Sequence, residues 1–210
     1  MLSLKSALPE VFDHNLLEKE IDASTIIYCD MDGVLVDFDG GFEKISGGKK
    51  AEEFDKENRS DEIWNLIKKQ PNNGIDYWAN LPKLPDADTL WGFINSLGFS
   101  VKILSSTGSR HSKSNSAQIG KLKWLQTHIS PVPSEENTIL VDSSDAKRQY
   151  AHGPNHILID DLISNITQWR AAGGTAIQHK NAAQSIAEIK QILGVQSSKD
   201  ESHGYSRSNR

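Results

Sequence analysis

Five short aliphatic runs punctuate the chain: residues 24–29 (STIIYC), 100–105 (SVKILS), 138–141 (TILV), 156–159 (HILI) and 175–178 (TAIQ). They are rich in Ile, Leu and Val and scarcely alternate with polar residues, the pattern of strands covered on both faces of a parallel sheet. Amphipathic segments lie between them. Residues 88–97 place Leu90, Phe93, Ile94 and Leu97 on one helical face before Gly98. Residues 116–128 carry Ile119, Leu122 and Leu125 with Trp124 alongside, and residues 162–172 carry Ile163, Ile166 and Trp169 before Gly173 and Gly174. Asn181 is placed to cap a last helix holding Ile186, Ile189 and Leu193, which Gly194 stops. Strand–helix alternation of this kind predicts an α/β fold, a three-layer Rossmann-like parallel sheet with right-handed crossovers.

One interval breaks the rhythm. About 70 residues separate the first two strands, far more than the dozen or so that a crossover requires. Residues 60–69 (SDEIWNLIKK) read as a short amphipathic helix and residues 71–74 as a turn. Residues 37–81 are therefore expected to form a small helical cap inserted after the first strand, with 1–36 and 82–195 forming the α/β core. Residues 196–210 (QSSKDESHGYSRSNR) hold no aliphatic side chain and are expected to be disordered.

Composition narrows the function. The 210 residues are 37% hydrophobic and 24% charged, with a net charge of −5. An acidic balance without a basic stripe argues against a nucleic-acid partner. No apolar run is long enough to span a membrane, and the first residues lack the pattern of a signal peptide, so a cytoplasmic location is expected. The single cysteine, Cys29, excludes a disulfide framework and reads as a small buried strand residue.

The candidate chemistry sits at the ends of the predicted strands. Asp30-Met31-Asp32-Gly33 follows the first strand directly, and ligands of open α/β sheets bind beyond the carboxyl ends of strands. Two carboxylates one residue apart can share a divalent cation and still hold different proton states. Phosphate monoester hydrolysis needs that division, one carboxylate attacking phosphorus and the other protonating the leaving oxygen. A calcium loop does not fit, because Val34 and Leu35 stand where an EF-hand needs an oxygen ligand and glycine. A Walker loop is absent at Gly47-Gly48-Lys49-Lys50. The second strand ends in Ser105-Ser106-Thr107-Gly108, hydroxyls suited to an anion or to helix capping. Lys147 precedes the fourth strand as a cation for developing charge, and that strand ends in Asp160-Asp161, suited to a hard metal. Asp37 is placed to cap or brace the first loop.

This order of motifs resembles the haloacid dehalogenase (HAD) superfamily over about residues 25–174. Asp30-Met31-Asp32-Gly33-Val34-Leu35-Val36-Asp37-Phe38-Asp39-Gly40-Gly41-Phe42 is most similar to the first motif of the 5′(3′)-deoxyribonucleotidases. The resemblance implies a phosphatase acting through an aspartyl-phosphate, with Asp30 as nucleophile and Asp32 as general acid and base. Ser105 would hold the phosphoryl oxygens and Lys147 neutralise them, with Lys121 and Lys123 as weaker alternatives to Lys147. Mg²⁺ would sit on Asp30, the Asp32 carbonyl and Asp160 or Asp161, the latter favoured. The resemblance also implies that Phe42, Tyr77 and Trp78 sandwich a base and that Ser106 helps to shape the pocket. The implied substrate is a small phosphomonoester, a (deoxy)nucleoside monophosphate; homodimerisation is left open. Sugar phosphates, nucleic-acid ends and a non-catalytic Mg²⁺-binding regulatory role remain as alternatives. Ser-Ser-Thr-Gly stands where those nucleotidases usually show Thr-Ser-Pro, and the interval from Lys147 to Asp160 is longer than in the mammalian-type enzymes.

Overall fold

A computed structural model describes residues 24–194. Five strands, β1 (Ile26–Cys29), β2 (Ser100–Ser106), β3 (Thr138–Val141), β4 (His156–Asp160) and β5 (Thr175–Gln178), form one sheet in the order β3-β2-β1-β4-β5. Every pairing is parallel, with Ile26 opposite both Ser100 and His156. The five aliphatic runs are these strands. Continuous burial holds for the inner ones: Ile27, Tyr28 and Cys29 of β1 and Ile157–Asp160 of β4 are buried. β3 departs from the expectation and is only half-buried throughout, because an edge strand has one neighbour to cover it.

The strand side chains divide between two apolar layers, as the pleat dictates. Ile27 and Cys29 join the cluster that holds Leu90, Trp91 and Ile94 of α5 (Ala87–Ser96) and Ile189 and Leu193 of α9 (Ala182–Leu193). Tyr28, Leu104 and Leu158 join Ile166 and Trp169 of α8 (Ile163–Ala171) on the other side. The Asn181 side chain accepts a hydrogen bond from the Gln184 amide at 2.9 Å, and Gly194 ends α9 in the left-handed region. The sheet is thus the middle of three layers, an α/β fold of the Rossmann type.

Between β1 and α5 the chain forms four short helices: α1 (Phe38–Ser46), α2 (Ala51–Lys56), α3 (Ser60–Lys68) and α4 (Ile75–Ala79). Only α3 is expected from its periodicity; α2 and α4 are too short to display one, and α1, as long as α3, begins inside the first motif. Asp37 does cap, accepting from the Gly40 amide at 2.9 Å at the start of α1. After β2 come a single turn, α6 (Ser109–Ser112), and the longer α7 (Ser116–His128). The expected apolar face of α7 is corrected by the structure. Its buried positions are Ser116, Ala117, Gly120, Lys121, Trp124 and Leu125, whereas Leu122 is 38% exposed. α7 turns this face toward α4, and Gly120 permits the approach: a Cβ there would overlap the Trp78 Cβ and meet the Ile75 carbonyl oxygen at 2.7 Å. The Trp124 indole N–H donates to the Leu81 carbonyl at 2.8 Å, fixing the end of the helical segment to the same helix. The expected disordered tail lies outside the described residues. Among the described residues no helix is long and apolar enough to cross a membrane.

Candidate active site

The strand order reverses between β1 and β4, and a cleft opens beyond their carboxyl ends. Asp30 closes β1, its amide donating to the Ile159 carbonyl at 3.0 Å, so its carboxylate is held at that switch point. The following loop doubles back on itself: Leu35 and Val36 amides both donate to the Met31 carbonyl at 2.8 Å. Met31, Val34, Leu35 and Val36 are buried and anchor it. Gly33 lines the cleft at this turn. With φ of 71° it lies against Asp161, and a Cβ would land inside the Asp161 carboxylate.

Three carboxylates converge here. Oxygens of Asp30, Asp160 and Asp161 lie within 4.8 Å of one another. The Lys147 ammonium, 2% exposed, stands 2.7 Å from Asp30 Oδ2 and 2.7 Å from Asp160 Oδ2. Burial alone would lower its pKa, but the two carboxylates raise it on balance, so the lysine stays charged. Asp160 is fully engaged, accepting from Lys147, from the Leu162 amide at 2.9 Å and from Asn165 Nδ2 at 3.0 Å. The Asp161 side chain has no such partners among the described residues and lines the cleft. Burial, then the charges of Asp30 and Asp160, push its carboxyl up to about 8. Excess carboxylate packed around one point, with a carboxyl held from ionising by its neighbours, fits an oxygen-seeking divalent cation such as Mg²⁺.

Asp32 occupies a second layer with Ser105 and Lys121. Lys121, 1% exposed, donates to Asp32 Oδ2 at 2.5 Å, to Ser105 Oγ at 2.9 Å and to the Ser106 carbonyl at 2.8 Å. Its ammonium lies 5.2 Å from the Trp78 ring centroid. Burial raises the Asp32 pKa, the Lys121 charge works against that, and the Asp30 charge adds to it. Lys121 and Lys147 are thus two separate buried cations, one on each aspartate, rather than alternatives. The signal for Lys121 was its position: it falls in register with Ala117, Trp124 and Leu125 on one helical face, where a lysine needs a buried partner. Lys123 is exposed and stands apart.

A cavity of about 930 Å³ extends from these residues to the helical segment. Asp30, Asp32, Ser106, Lys147 and Asp161 line its floor, and Phe38, Trp64 and Trp78 contribute aromatic walls. Phe42, expected at the base, is corrected: it is fully buried between Phe38 and Phe54, at centroid distances of 6.0 and 5.6 Å, and packs the helical segment. One turn earlier, Phe38 presents the ring to the cavity. Tyr77 packs edge-on against Phe38 and Trp78 and is not on the cavity wall. Its buried hydroxyl has no partner among the described residues, and burial together with the Asp32 charge raises its pKa. Trp64 was missed because its position on α3 carries no motif. Its ring covers Gly108 so closely that a Cβ there would overlap it.

No family model matches this chain, and no curated protein matches it. Solved structures do. A dehalogenase crystal structure aligns with a TM-score of 0.51 at 12% identity, over 83% of this chain and 99% of that one. A predicted HAD-like family hydrolase from Porphyromonas gingivalis aligns at 0.46 and 17% identity, over 82% and 98%. A HAD family enzyme from Bacteroides thetaiotaomicron, solved in complex with magnesium and inorganic phosphate, aligns at 0.45 and 16% identity, over 74% and 94%. The first of these likenesses establishes the fold shared with a dehalogenase.

Proposed function

We propose that the protein is a phosphomonoesterase with a Mg²⁺ site at Asp30, the Asp32 carbonyl and Asp161, acting on nucleoside monophosphates. The observation that carries the reading is the pairing of two aspartates, each with its own buried lysine, on the floor of one cavity. Asp161 rather than Asp160 is the direct ligand, because the Asp160 oxygens are already occupied by Lys147, Leu162 and Asn165. When bound, Mg²⁺ supplies charge that draws the phosphate and the Asp30 carboxylate together.

The residues then divide the work. Asp30 attacks phosphorus, forming the aspartyl-phosphate bond as the bond to the leaving oxygen breaks. Asp32 gives its proton to that oxygen, a role suited to a carboxyl whose pKa is raised by burial. Lys121 holds Asp32 and donates to Ser105, which is fully buried behind the cavity wall, so Ser106 on that wall offers the hydroxyl to a phosphoryl oxygen. Lys147 neutralises charge beside Asp30. Asp32 next takes a proton from water, which attacks phosphorus and releases Asp30 and phosphate. The helical segment serves as the cap, its aromatic walls Phe38, Trp64 and Trp78 stacking a base at about 1–3 kcal/mol.

A second reading, a sugar phosphate, draws on the same cavity's carboxylates at Asp37, Asp39, Glu52 and Asp55, which accept hydrogen bonds from hydroxyls. Phosphate release from 5′- and 3′-nucleotides and from sugar phosphates, with Mg²⁺, separates the two. The expected result is release from nucleotides, with Trp78→Ala raising KM roughly tenfold through lost stacking. Asp30→Asn is expected to cost at least about a thousandfold in kcat while leaving the melting temperature near that of the parent. Substantial turnover by that variant would sink the mechanism.

A further inference from the structure

The helical segment carries a polar group that its packing does not use. Tyr77 of α4 is 9% exposed, and its ring lies edge-on to Phe38 and Trp78 at centroid distances of 6.4 and 5.3 Å. The hydroxyl at its tip is sealed from solvent and has no partner among the described residues. Phenylalanine would make the same ring contacts without that penalty, since a buried hydroxyl left unpaired destabilises the fold. Unpaired groups of this kind persist where function uses them.

A matching group lies on the sheet side. Asp32 lines the reaction cavity, and Lys121 holds its Oδ2. Its other oxygen, Oδ1, is buried and equally without a partner. An ionised carboxylate oxygen accepts and a hydroxyl donates, so the two orphans are complementary. The surrounding contacts bring them to one place. Trp78, the next residue of α4, lies 5.2 Å from the Lys121 ammonium, the cation that holds Asp32. Phe38, against which Tyr77 packs, follows the loop in which Asp32 bridges to Val36. Asp32 is also the charge that acts most strongly on the Tyr77 hydroxyl, ahead of Asp39 and Asp37. Burial and these charges raise its pKa, so Tyr77 gives a hydrogen bond and keeps its proton.

We infer that Tyr77 is a positioning residue for Asp32, its hydroxyl donating to Asp32 Oδ1 once substrate has drawn the helical segment onto the sheet. The inference rests on the phosphatase reading and deepens it. In the first half-reaction Asp30 forms its bond to phosphorus, the bond to the leaving oxygen breaks, and the Asp32 proton passes to that oxygen. Asp32 is left as a carboxylate with Lys121 on Oδ2 and Tyr77 on Oδ1. A hydrogen bond that strengthens as this charge develops favours the transition state over the bound substrate.

The test compares two esters of similar shape that differ in their need for an acid. Phenyl phosphate has a basic leaving oxygen that requires the proton, whereas p-nitrophenol departs readily as its anion. For a reaction through a covalent intermediate, kcat/KM reports the steps up to that intermediate and so isolates Asp32 as acid. Tyr77→Phe is expected to lower kcat/KM for phenyl phosphate about tenfold, the worth of a hydrogen bond to a charged group, and for p-nitrophenyl phosphate far less. Asp32→Asn is expected to show the same bias toward phenyl phosphate with a larger loss. The melting temperature of Tyr77→Phe is expected to equal or exceed that of the parent, because the variant loses only an unpaired hydroxyl. Equal losses on the two esters, or no loss on either, overturn the inference and leave the phosphatase reading standing. A lowered melting temperature overturns it too, since the hydroxyl would then be paired in the resting protein. A parent chain that hydrolyses neither ester fails the phosphatase reading, and the role of Tyr77 falls with it.

Discussion

Asp161 shows how much of this site is decided by single atoms. Its carboxyl is held up to about 8 by burial and by Asp30 and Asp160, whereas an unfolded chain releases the same proton near about pH 4. The folded protein therefore binds more protons across that interval, and metal-free stability falls as pH rises from about 4 through about 8. On the proposed function, Mg²⁺ would bind the ionised carboxylates and reverse the loss. Thermal unfolding with and without Mg²⁺ is expected to show a larger stabilisation at about pH 8.5 than at about pH 5.5. An equal gain at both values would separate Asp161 from the metal. Gly33→Ala tests the same point sterically. Its Cβ would occupy the Asp161 carboxylate position and its φ of 71° disfavours any side chain, so Mg²⁺ affinity and turnover are expected to fall together. The first motif was legible in the sequence because the aspartate pair has company along the chain, with Ser105 and Asp160-Asp161 at other strand ends and Lys147 before the fourth strand. The task of Gly33 was not, because its neighbour Asp161 lies far along the chain.

At the scale of elements, the contact that matters most is between α4 and α7. α7 carries Lys121 to Asp32 and Ser105, and α4 carries Trp78 over the same ammonium. Gly120 is the point of closest approach. Alanine is the better helix former by roughly 1 kcal/mol, so Gly120→Ala would stabilise an isolated helix. Here the added methyl meets the Ile75 carbonyl and the Ala79 amide, which are backbone and yield little. The expected outcome is a loss of about 1–3 kcal/mol in chemical denaturation, accompanied by reduced turnover. A gain in stability would show that α4 is free to shift. Periodicity located α7 but misread its face, since the rule that buries Ile, Leu and Trp has no place for a buried lysine. Lys121 is inside because Asp32 and Ser105 are there to receive it.

Considered whole, the molecule is a parallel sheet with its chemistry at one edge and a helical segment seated above. One apolar cluster runs without interruption from Ile27 and Cys29 of the sheet to Phe42, Phe54 and Ile63 of that segment. Trp64, only half-buried, spans the interface near Gly108. Trp64→Ala is expected to leave the melting temperature within a few degrees while speeding proteolytic cleavage between α1 and α3, which a gel time course would follow. Unchanged cleavage would mean that the segment is held by α4 and α7 alone.

The sequence by itself determined the strands, their parallel order of use and the aspartates at their ends. These follow from unbroken aliphatic runs and from residues whose neighbours in space are neighbours in the chain. The tertiary structure decided what depends on distant segments meeting. It put Phe38 rather than Phe42 on the cavity, because α2 covers the next turn of α1 with Phe54. It gave Asp30 and Asp32 a lysine each, one from the segment before β4 and one from α7. Local propensity is written residue by residue, whereas burial and charge pairing are properties of the packed chain.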